Sequence, residues 1–209
     1  MKAIIWSVCA LFAIVVGDGA AAEVRLAVLG DSLTAGYGLA RADSFPAQLE
    51  AKLLESGLAV VVINAGVSGD TTAGGTRRLD WLMAGEPQAV ILELGANDGL
   101  RGVDPEQTFR NLDAILTRLA HEGLPVLLTG MLAPPNYGLA YGKAFKAIFP
   151  RLADKHHVAF YPFFLDGVAG RPDLNQRDGL HPNAAGVAVI VEGILPAVKD
   201  LLETVNQKP

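Results

Sequence analysis

Five short apolar runs alternate with longer segments of helical spacing along this chain of 209 residues. The runs are rich in valine, leucine and isoleucine and show little polar alternation, as expected for strands buried on both faces of a sheet. They cover residues 24–29, 60–64, 90–94, 126–129 and 158–161, and the segments of helical spacing cover residues 45–55, 71–83, 105–121, 139–155 and 183–203. Strands that alternate with helices predict an α/β fold, in which helices cover both faces of a parallel sheet.

The first 22 residues have the pattern of an export signal. Lys2 is followed by an apolar run over residues 3–16 and then by small residues, with Ala20-Ala21-Ala22 directly before Glu23. The run is too short to span a bilayer, and the small residues are typical of a cleavage site. We therefore expect a signal peptide over residues 1–22 and a mature protein in the periplasm or outside the cell. An uncleaved membrane anchor is the alternative.

Residues 23–209 are long enough to form one domain with a full hydrophobic core. The only cysteine, Cys9, lies inside the expected signal, so the mature chain has no thiol and no disulfide. The chain has 17 basic and 22 acidic residues, a net charge of −5, and no run of basic residues. This charge pattern argues against nucleic acid or anionic lipid as the main partner.

Prolines and capping residues mark several helix boundaries. Asp104 precedes Pro105, so a capping side chain stands directly before a proline at the first helical position. Pro182, before Asn183, similarly marks the start of the last helix. Pro150 falls inside the fourth predicted helix, and we expect it to kink or split that helix.

Polar or glycine-rich segments follow the first three predicted strands. Ser32 follows the first strand, Gly69 the second and Asn97 the third. In a parallel sheet, reactive groups lie in loops at the carboxyl ends of the strands, near helix N-termini whose dipoles favour negative charge. We therefore expect these three loops to meet at one edge of the sheet.

Ser32 lies almost at the start of the mature chain, in Gly30-Asp31-Ser32-Leu33-Thr34, and Asp178 and His181 lie near its end. A serine nucleophile needs a base to take its proton and a third group to hold that base in the right tautomer. These two segments supply all three groups, so hydrolysis is the leading hypothesis. The alternative is that Ser32 belongs only to a turn that caps a helix.

His181 differs from the other three histidines because it lies in a predicted loop. Its separation of three residues from Asp178 lets the carboxylate reach the imidazole Nδ1–H while Nε2 faces a serine. The alternative is a self-contained turn and helix cap. His121, His156 and His157 lie near the ends of predicted helices, where we expect contacts with the C-terminal helix dipole.

An oxyanion formed during acyl transfer also needs hydrogen-bond donors at the place where its charge develops. Asn97 follows a hydrophobic strand and can present its side-chain NH₂, although a lone asparagine there is also typical of a turn. Gly66 and Gly69 compete for a second donor. Gly69 is preferred, because Ser68-Gly69-Asp70-Thr71 opens the next helix, where an N–H points outward along the dipole. The alternative is a simple entry turn.

The segment around Ser32 does not fit the α/β-hydrolase pattern Gly-x-Ser-x-Gly, because Thr34 stands at the last position. The four segments together resemble the GDSL or SGNH hydrolase family, whose four signature blocks each carry one of serine, glycine, asparagine and histidine. The resemblance covers essentially the whole mature chain and looks closest to the bacterial thioesterase I, lysophospholipase L1 and arylesterase branch. The matching segments are Leu29-Gly30-Asp31-Ser32-Leu33, Ser68-Gly69-Asp70-Thr71, residues 93–102, Pro135-Asn136-Tyr137-Gly138 and residues 178–183.

That resemblance implies the roles of the individual site residues. Ser32 would be the nucleophile, His181 the general base and then acid, and Asp178 its orienting partner. The backbone N–H groups of Ser32 and Gly69 and the side chain of Asn97 would form the oxyanion hole. The family fold is a three-layer α/β/α sandwich with a five-stranded parallel sheet of flavodoxin-like order. One departure is Ala96, which stands where many members have glycine.

The resemblance also implies a serine esterase acting on a small acyl ester or thioester. We expect aryl esters, short- to medium-chain acyl esters and acyl-CoA as substrates, with lysophospholipids as further candidates. Neither a metal nor an organic cofactor is required, and the mature chain has no cysteine or histidine cluster with metal-ligand spacing. We expect a monomer without stable membrane insertion once the signal is removed.

The acyl pocket is less defined by the sequence than the reacting groups. Leu100, Pro134, Pro135 and Tyr137 are candidates to line a groove, and packing explains them equally well. A carbohydrate O-acetylesterase is the rival enzyme, although aromatic residues for a sugar platform make up only 7% of the chain. An exported binding protein of flavodoxin-like architecture is the rival from another class, but no complete phosphate-loop or dinucleotide motif supports it.

Overall fold

The five predicted strands form one parallel sheet in the computed structural model, which describes residues 23–206. The strands are β1 (Val24–Gly30), β2 (Val60–Gly66), β3 (Ala89–Glu93), β4 (Val126–Thr129) and β5 (Ala159–Tyr161). Their spatial order is β2-β1-β3-β4-β5, which confirms the flavodoxin-like sheet. The register aligns Gly30 with Gly66 and with Glu93, so the three strands that carry the site end at one level. The predicted signal peptide lies outside the described residues.

Helices cover both faces of the sheet, as predicted. They are α1 (Ser32–Ala35), α2 (Phe45–Glu55), α3 (Thr72–Arg77), α4 (Leu79–Met83), α5 (Ala96–Leu100), α6 (Pro105–His121), α7 (Gly138–His156) and α8 (Ala184–Asn206). Helices α2 and α8 pack together against the sheet, while α3, α6 and α7 form a second group. All five residues of β3 are buried, in agreement with a central strand covered on both faces. None of the helices in this part of the chain is both long and apolar enough to cross a membrane.

Two helix predictions were wrong in detail, and each has a physical reason. The segment 71–83 forms two helices, because Arg78 leaves the helical conformation with φ −111° and ψ 17°. Its guanidinium turns toward the sheet and donates to the carbonyls of Ala65 and Gly30. Of the kink or split expected at Pro150, the split does not occur, because buried residues on both sides of it, Phe149 and Leu152 among them, hold α7 against the core.

Capping chemistry explains the helix starts. Asp104 Oδ1 accepts a hydrogen bond from the Glu106 N–H at 3.1 Å, and Pro105 begins α6 as predicted. Helix α8 begins at Ala184, one residue later than predicted, and Asn183 Oδ1 accepts from the Gly186 N–H at 3.0 Å. Short polar side chains therefore satisfy backbone donors that helix geometry leaves unpaired.

The segments after β1 and β3 are short helices and not the loops that the sequence predicts. Ser32 begins the four-residue α1, and Asn97 lies in the first turn of the five-residue α5. Helices this short carry too few residues for a periodic pattern to appear in the sequence. Gly69 does lie in a loop, between β2 and α3, with a positive φ of 81°.

Candidate active site

A tight turn from strand to helix presents Ser32 at the end of β1. Asp31 caps α1, with its Oδ1 accepting from the Leu33 N–H at 3.0 Å. Gly66, the neighbour of Gly30 on β2, lies so close to α1 that an added Cβ would stand 2.3 Å from the Ala35 nitrogen. Close packing therefore accounts for Gly66, and its backbone N–H already donates to Asn64 Oδ1 at 3.0 Å, which leaves Gly69 as the candidate for the second donor.

His181 connects Ser32 to Asp178 through two hydrogen bonds. Its Nε2 lies 2.9 Å from Ser32 Oγ, and its Nδ1 lies 2.7 Å from Asp178 Oδ2. A carboxylate only accepts, so Nδ1 carries the proton and Nε2 is the acceptor for the serine hydroxyl. The two segments, 149 residues apart in sequence, thus form one continuous hydrogen-bonded chain.

The Asp178 carboxylate is held by the turn that it helps to form. Its Oδ1 accepts from the backbone N–H groups of His181, at 3.0 Å, and of Leu180, at 2.9 Å. These two backbone bonds, together with the imidazole of His181, lower the pKa of Asp178 to about 2. Asp178 is therefore ionised throughout the neutral and mildly acidic range, where it holds His181 in the required tautomer.

The segment that carries His181 also makes contacts near the nucleophile segment. The ring of Tyr37 lies 4.6 Å from the His181 ring, centroid to centroid. The backbone N–H of Gln176 donates to the His181 carbonyl at 2.7 Å. The Gln176 side chain in turn donates to the carbonyls of Tyr37 and Pro182. The nucleophile segment and the base segment are joined by these contacts.

Three hydrogen-bond donors face the same space as the Ser32 hydroxyl. The backbone N–H groups of Ser32 and Gly69 donate to no acceptor among the described residues. The Asn97 Nδ2 uses one N–H in a bond to Asp31 Oδ2 at 3.1 Å, and its second N–H is unused. A carbonyl oxygen bound beside Ser32 would meet donors from three segments, the arrangement that stabilises an oxyanion.

Buried polar contacts join the loops that carry these donors. Asp98, next to Asn97, accepts from the Thr72 N–H at 2.9 Å and from the Thr72 hydroxyl at 2.6 Å. Asp70, next to Gly69, accepts from Arg78 Nε at 2.6 Å. Both contacts lie in the interior or near it. The segment that carries Gly69 and the segment that carries Asn97 are therefore fixed relative to each other and to the sheet.

A cavity of about 580 Å³ opens beside Ser32 and His181. Gly69 and Asn97 line it together with Ser32, so the predicted donors and the nucleophile share one space. Its large aliphatic and phenyl lining residues are Leu33, Leu100, Met131, Leu132, Phe163, Leu165 and Leu180. A concave site with an apolar wall and a few convergent polar groups is typical of small-molecule binding.

Two of the four residues predicted to line a groove lie in the wall of this cavity, and two do not. Leu100 and Pro134 line the cavity. Pro135 and Tyr137 do not, because they form a 3₁₀ turn outside it, where the Tyr137 hydroxyl donates to the Leu100 carbonyl at 3.0 Å. Most of the apolar wall was missed, since residues such as Phe163 and Leu165 look like ordinary core residues in the sequence.

The other three histidines lie at helix ends, as predicted. His121 is the last residue of α6, and His156 is the last residue of α7. His156 Nε2 also lies 2.6 Å from Asp113 Oδ1 on α6. His157 ends α7 in the left-handed conformation with φ 52°. None of the three lines the cavity beside Ser32.

Known proteins resemble this chain over most of its length. Esterase TesA of Pseudomonas aeruginosa is 41% identical over 203 residues, which cover 97% of this chain and 100% of that protein. An arylesterase of Vibrio mimicus is 42% identical over 172 residues, covering 82% of this chain and 86% of its own. Thioesterase 1/protease 1/lysophospholipase L1 of Escherichia coli K12 is 38% identical over 198 residues, covering 94% of both chains.

Solved structures share the fold as well as the sequence. The crystal structure of the psychrotrophic esterase EstA from Pseudoalteromonas, inhibited by monoethylphosphonate, is 35% identical, with a TM-score of 0.82. The similarity covers 87% of this chain and 100% of EstA. The model of the GDSL-like lipase/acylhydrolase family matches residues 28–189, which include every predicted site residue. These matches confirm the resemblance found in the signature segments, and the chain belongs to the GDSL-like lipase/acylhydrolase family.

Proposed function

We propose that this chain is a serine esterase that hydrolyses carboxylic esters and thioesters through an acyl-Ser32 intermediate. The observation that carries this proposal is the hydrogen-bonded chain from Ser32 through His181 to Asp178, which ends at an apolar cavity. Membership of the family, whose relatives here are named as esterases, an arylesterase and a thioesterase, supports the same reaction.

The first half of the reaction forms the acyl-enzyme. The Ser32 hydroxyl already donates toward His181 Nε2, so its proton passes to the imidazole as Oγ attacks the acyl carbon. Asp178 accepts from Nδ1–H and stabilises the imidazolium that forms. Negative charge develops on the carbonyl oxygen, where the N–H groups of Ser32, Gly69 and Asn97 are placed to donate.

The acyl-enzyme is complete once the imidazolium of His181 has given its proton to the leaving alkoxide or thiolate. In the second half, the neutral ring takes a proton from water as that water attacks the acyl carbon. The oxyanion forms a second time at the same donors. Collapse of this intermediate releases the carboxylic acid and returns the proton to Ser32. In this mechanism His181 carries the proton in every transfer.

The cavity favours aryl esters and acyl groups of short to medium length. A volume of about 580 Å³ lies within the range of sites for small molecules. Its wall is apolar beyond the reacting groups, so binding gains from removing hydrocarbon surface from water, at roughly 25 cal/mol per Å². Leu180 and Tyr37 are half-exposed at the same site, which leaves the cavity open to solvent.

The test is a panel of p-nitrophenyl esters and acyl-CoA thioesters, from acetyl to palmitoyl, with protein that begins at Glu23. We expect hydrolysis that peaks at short or medium acyl chains. Ser32→Ala should lower kcat by at least about 10⁴-fold, because the nucleophile is lost while binding remains. Ser56→Ala is the matched control, since this exposed serine hydroxyl bonds only to the Lys52 carbonyl and should leave kcat unchanged.

Three other results would contradict the proposal. Activity on acetylated polysaccharide alone would identify a carbohydrate O-acetylesterase. A protein without serine-dependent turnover on any substrate would be a binding protein. Full activity in Ser32→Ala would show that another group attacks the ester.

We also propose that the protein is exported and that the mature protein is a monomer. The pattern of residues 1–22 supports cleavage before Glu23, which places the enzyme in the periplasm or outside the cell. Mass spectrometry of the protein purified from its native host should give the mass of the chain without these residues. An intact Met1 would contradict cleavage. Size-exclusion chromatography with light scattering should give the mass of one chain, and a stable dimer would contradict the monomer.

A further inference from the structure

The side-chain amide of Asn97 donates a hydrogen bond to the buried carboxylate of Asp31, which takes no part in the proposed reaction steps. Asp31 is 0% exposed, and each of its oxygens accepts one hydrogen bond. Oδ1 accepts from the Leu33 N–H at 3.0 Å, which fixes the start of α1. Oδ2 accepts from Asn97 Nδ2 at 3.1 Å and so reaches across from β1 to the segment after β3.

We propose that Asp31 is a positioning residue for the oxyanion site. Its Oδ2 binds one N–H of Asn97 and thereby fixes the amide plane, so that the second N–H faces the oxygen of an acyl group attached to Ser32. An unrestrained asparagine side chain rotates about two bonds, and a rotated amide presents its oxygen, an acceptor, to the developing negative charge. This inference rests on the proposed function, in which Asn97 is an oxyanion donor.

A second buried carboxyl group, that of Glu93, lies next to Asp31 and accepts from its backbone N–H at 3.4 Å. Glu93 is also 0% exposed; its Oε2 accepts from the Thr34 hydroxyl at 2.8 Å, and within residues 23–206 its Oε1 has no hydrogen-bond partner. Burial, followed by the charge of Asp31, raises the pKa of Glu93 well above its usual value. Burial also raises the pKa of Asp31 to about 6, against the opposing effect of the bonds from Leu33 and Asn97.

The contacts of the two carboxyl groups are therefore asymmetric. Two N–H donors on Asp31 favour its ionised form, while burial and the charge of Asp31 favour the protonated form of Glu93, which accepts at one oxygen. The other charged groups that act on Asp31 are Asp98, which disfavours its ionisation, and His181, which favours it. An ionised acceptor makes a stronger hydrogen bond than a neutral one, which suits a group whose task is to hold an amide still.

The geometry explains why an aspartate is needed at position 31. Serine or asparagine also caps a helix, so capping of the Leu33 N–H alone would be satisfied by either. Only a carboxylate has two acceptor oxygens for two donors. In Asp31→Asn the new NH₂ must face either Leu33 N–H or Asn97 Nδ2, and one of the two bonds is lost.

A double-mutant cycle tests the inference, with kcat and KM measured on p-nitrophenyl butyrate. Asn97→Ala should lower kcat by about 100-fold, as the loss of one oxyanion donor does. Asp31→Asn should lower kcat by about 10- to 100-fold with KM changed by less than about 3-fold, because the lost interaction acts in the transition state. The double variant should equal Asn97→Ala within about 3-fold, since Asp31 has no further effect once the amide is absent.

Glu93→Gln is the matched control. It is equally buried, and its amide oxygen replaces the accepting oxygen of a group that is already neutral, so kcat should stay within about 3-fold of the parent. A merely structural role for Asp31 would instead multiply the two single effects in the double variant and overturn the inference. So would an Asp31→Asn protein with full kcat.

Two further variants distinguish a failure of folding, or of the proposed function, from a failure of the role proposed for Asp31. If Asp31→Asn gives no folded protein by circular dichroism, Asp31→Ser replaces it in the cycle, because serine retains a cap for the Leu33 N–H and loses the contact with Asn97. Ser32→Ala is measured in the same assay. A fall in kcat of less than about 10⁴-fold in Ser32→Ala would contradict the proposed function, whereas a fall of that size with multiplicative single effects would contradict only the role of Asp31.

Discussion

The two segments that meet in the site are held in different ways. The nucleophile segment, residues 30–35, lies against the core, and Asp31 and Thr34 are 0% exposed. The base segment, residues 176–183, lies at the surface, and the side chains of Asp178 and His181 are 38% and 21% exposed. The first is positioned by packing between strands and the second by hydrogen bonds within its own turn.

Because of this difference, we expect substitutions in the base segment to affect catalysis and substitutions in the nucleophile segment to affect both catalysis and stability. In the base segment, the groups that bond Asp178 are Leu180 and His181, its own neighbours in sequence. Changes there remove chemistry and leave the core untouched. In the nucleophile segment, Asp31 and Gly30 are packed against residues of β2 and β3 that are more than 30 positions away. Changes there disturb the fold together with the site.

The largest expected effect is the loss of kcat in His181→Ala, a variant of the base segment. Loss of the group that carries every proton should lower kcat by about 10⁴-fold or more. The melting temperature should change by less than about 2 °C, because the ring is at the surface. Kinetics and thermal melts of this variant, beside His121→Ala as an exposed histidine control, give both values. A large drop in melting temperature would contradict the separation of stability from catalysis.

Asp178→Asn should follow, with kcat lower by roughly 10³- to 10⁴-fold. The asparagine oxygen can still accept from the backbone N–H groups of Leu180 and His181. Its NH₂ then faces Nδ1 and favours the tautomer in which Nε2 carries the proton and cannot accept from Ser32. Steady-state kinetics on p-nitrophenyl butyrate measure the loss, and retention of more than about a tenth of the parental kcat would contradict this role.

Gly66→Ala tests the packing of the nucleophile segment. Its Cβ would lie 2.3 Å from the nitrogen and 2.8 Å from the Cα of Ala35, both backbone atoms. We expect a loss of about 1–3 kcal/mol in the free energy of unfolding, measured in urea. Gly142→Ala in α7 is the matched control, with no atom within 4 Å of the new Cβ, and should gain about 0.5–1 kcal/mol. Equal stabilities for the two variants would show that α1 is not held by this contact.

The smallest expected effect concerns Glu93 and the pH dependence of stability. Its pKa is raised in the folded state, so the unfolded chain releases the proton near the ordinary value of 4.5 while the folded chain keeps it. Stability attributable to Glu93 is therefore present below that value and declines as pH rises above it. Glu93→Gln should show a smaller fall in melting temperature between pH 5 and pH 8 than the parent. Parallel pH profiles would contradict a protonated Glu93.

The five strands and the candidate reacting groups could be predicted from the sequence because both leave local signals, whereas the strand order was implied by the family resemblance. Buried strands such as β3 are continuous apolar runs, and Ser32, Asn97 and His181 each follow or precede a clear boundary between elements. The start of α6 at Pro105 was predicted for the same reason, since its cap is local.

Features that depend on contacts distant in sequence were not predicted. The break at Arg78 arises from bonds to Gly30 and Ala65, 48 and 13 residues away. The bond between Asp31 and Asn97 spans 66 positions, and nothing in the local sequence distinguishes Asp31 from an ordinary helix cap. Phe163 was missed as a cavity residue because an apolar side chain has the same appearance in a core and in a substrate site.

The most direct test of the central claim is to trap the nucleophile. The mature protein is incubated with a p-nitrophenyl alkylphosphonate, digested, and mapped by mass spectrometry. The account predicts one phosphonyl adduct, on Ser32, with release of one equivalent of p-nitrophenol and complete loss of esterase activity. An adduct on another residue, or inactivation of Ser32→Ala at the rate of the parent, would contradict an acyl-Ser32 mechanism.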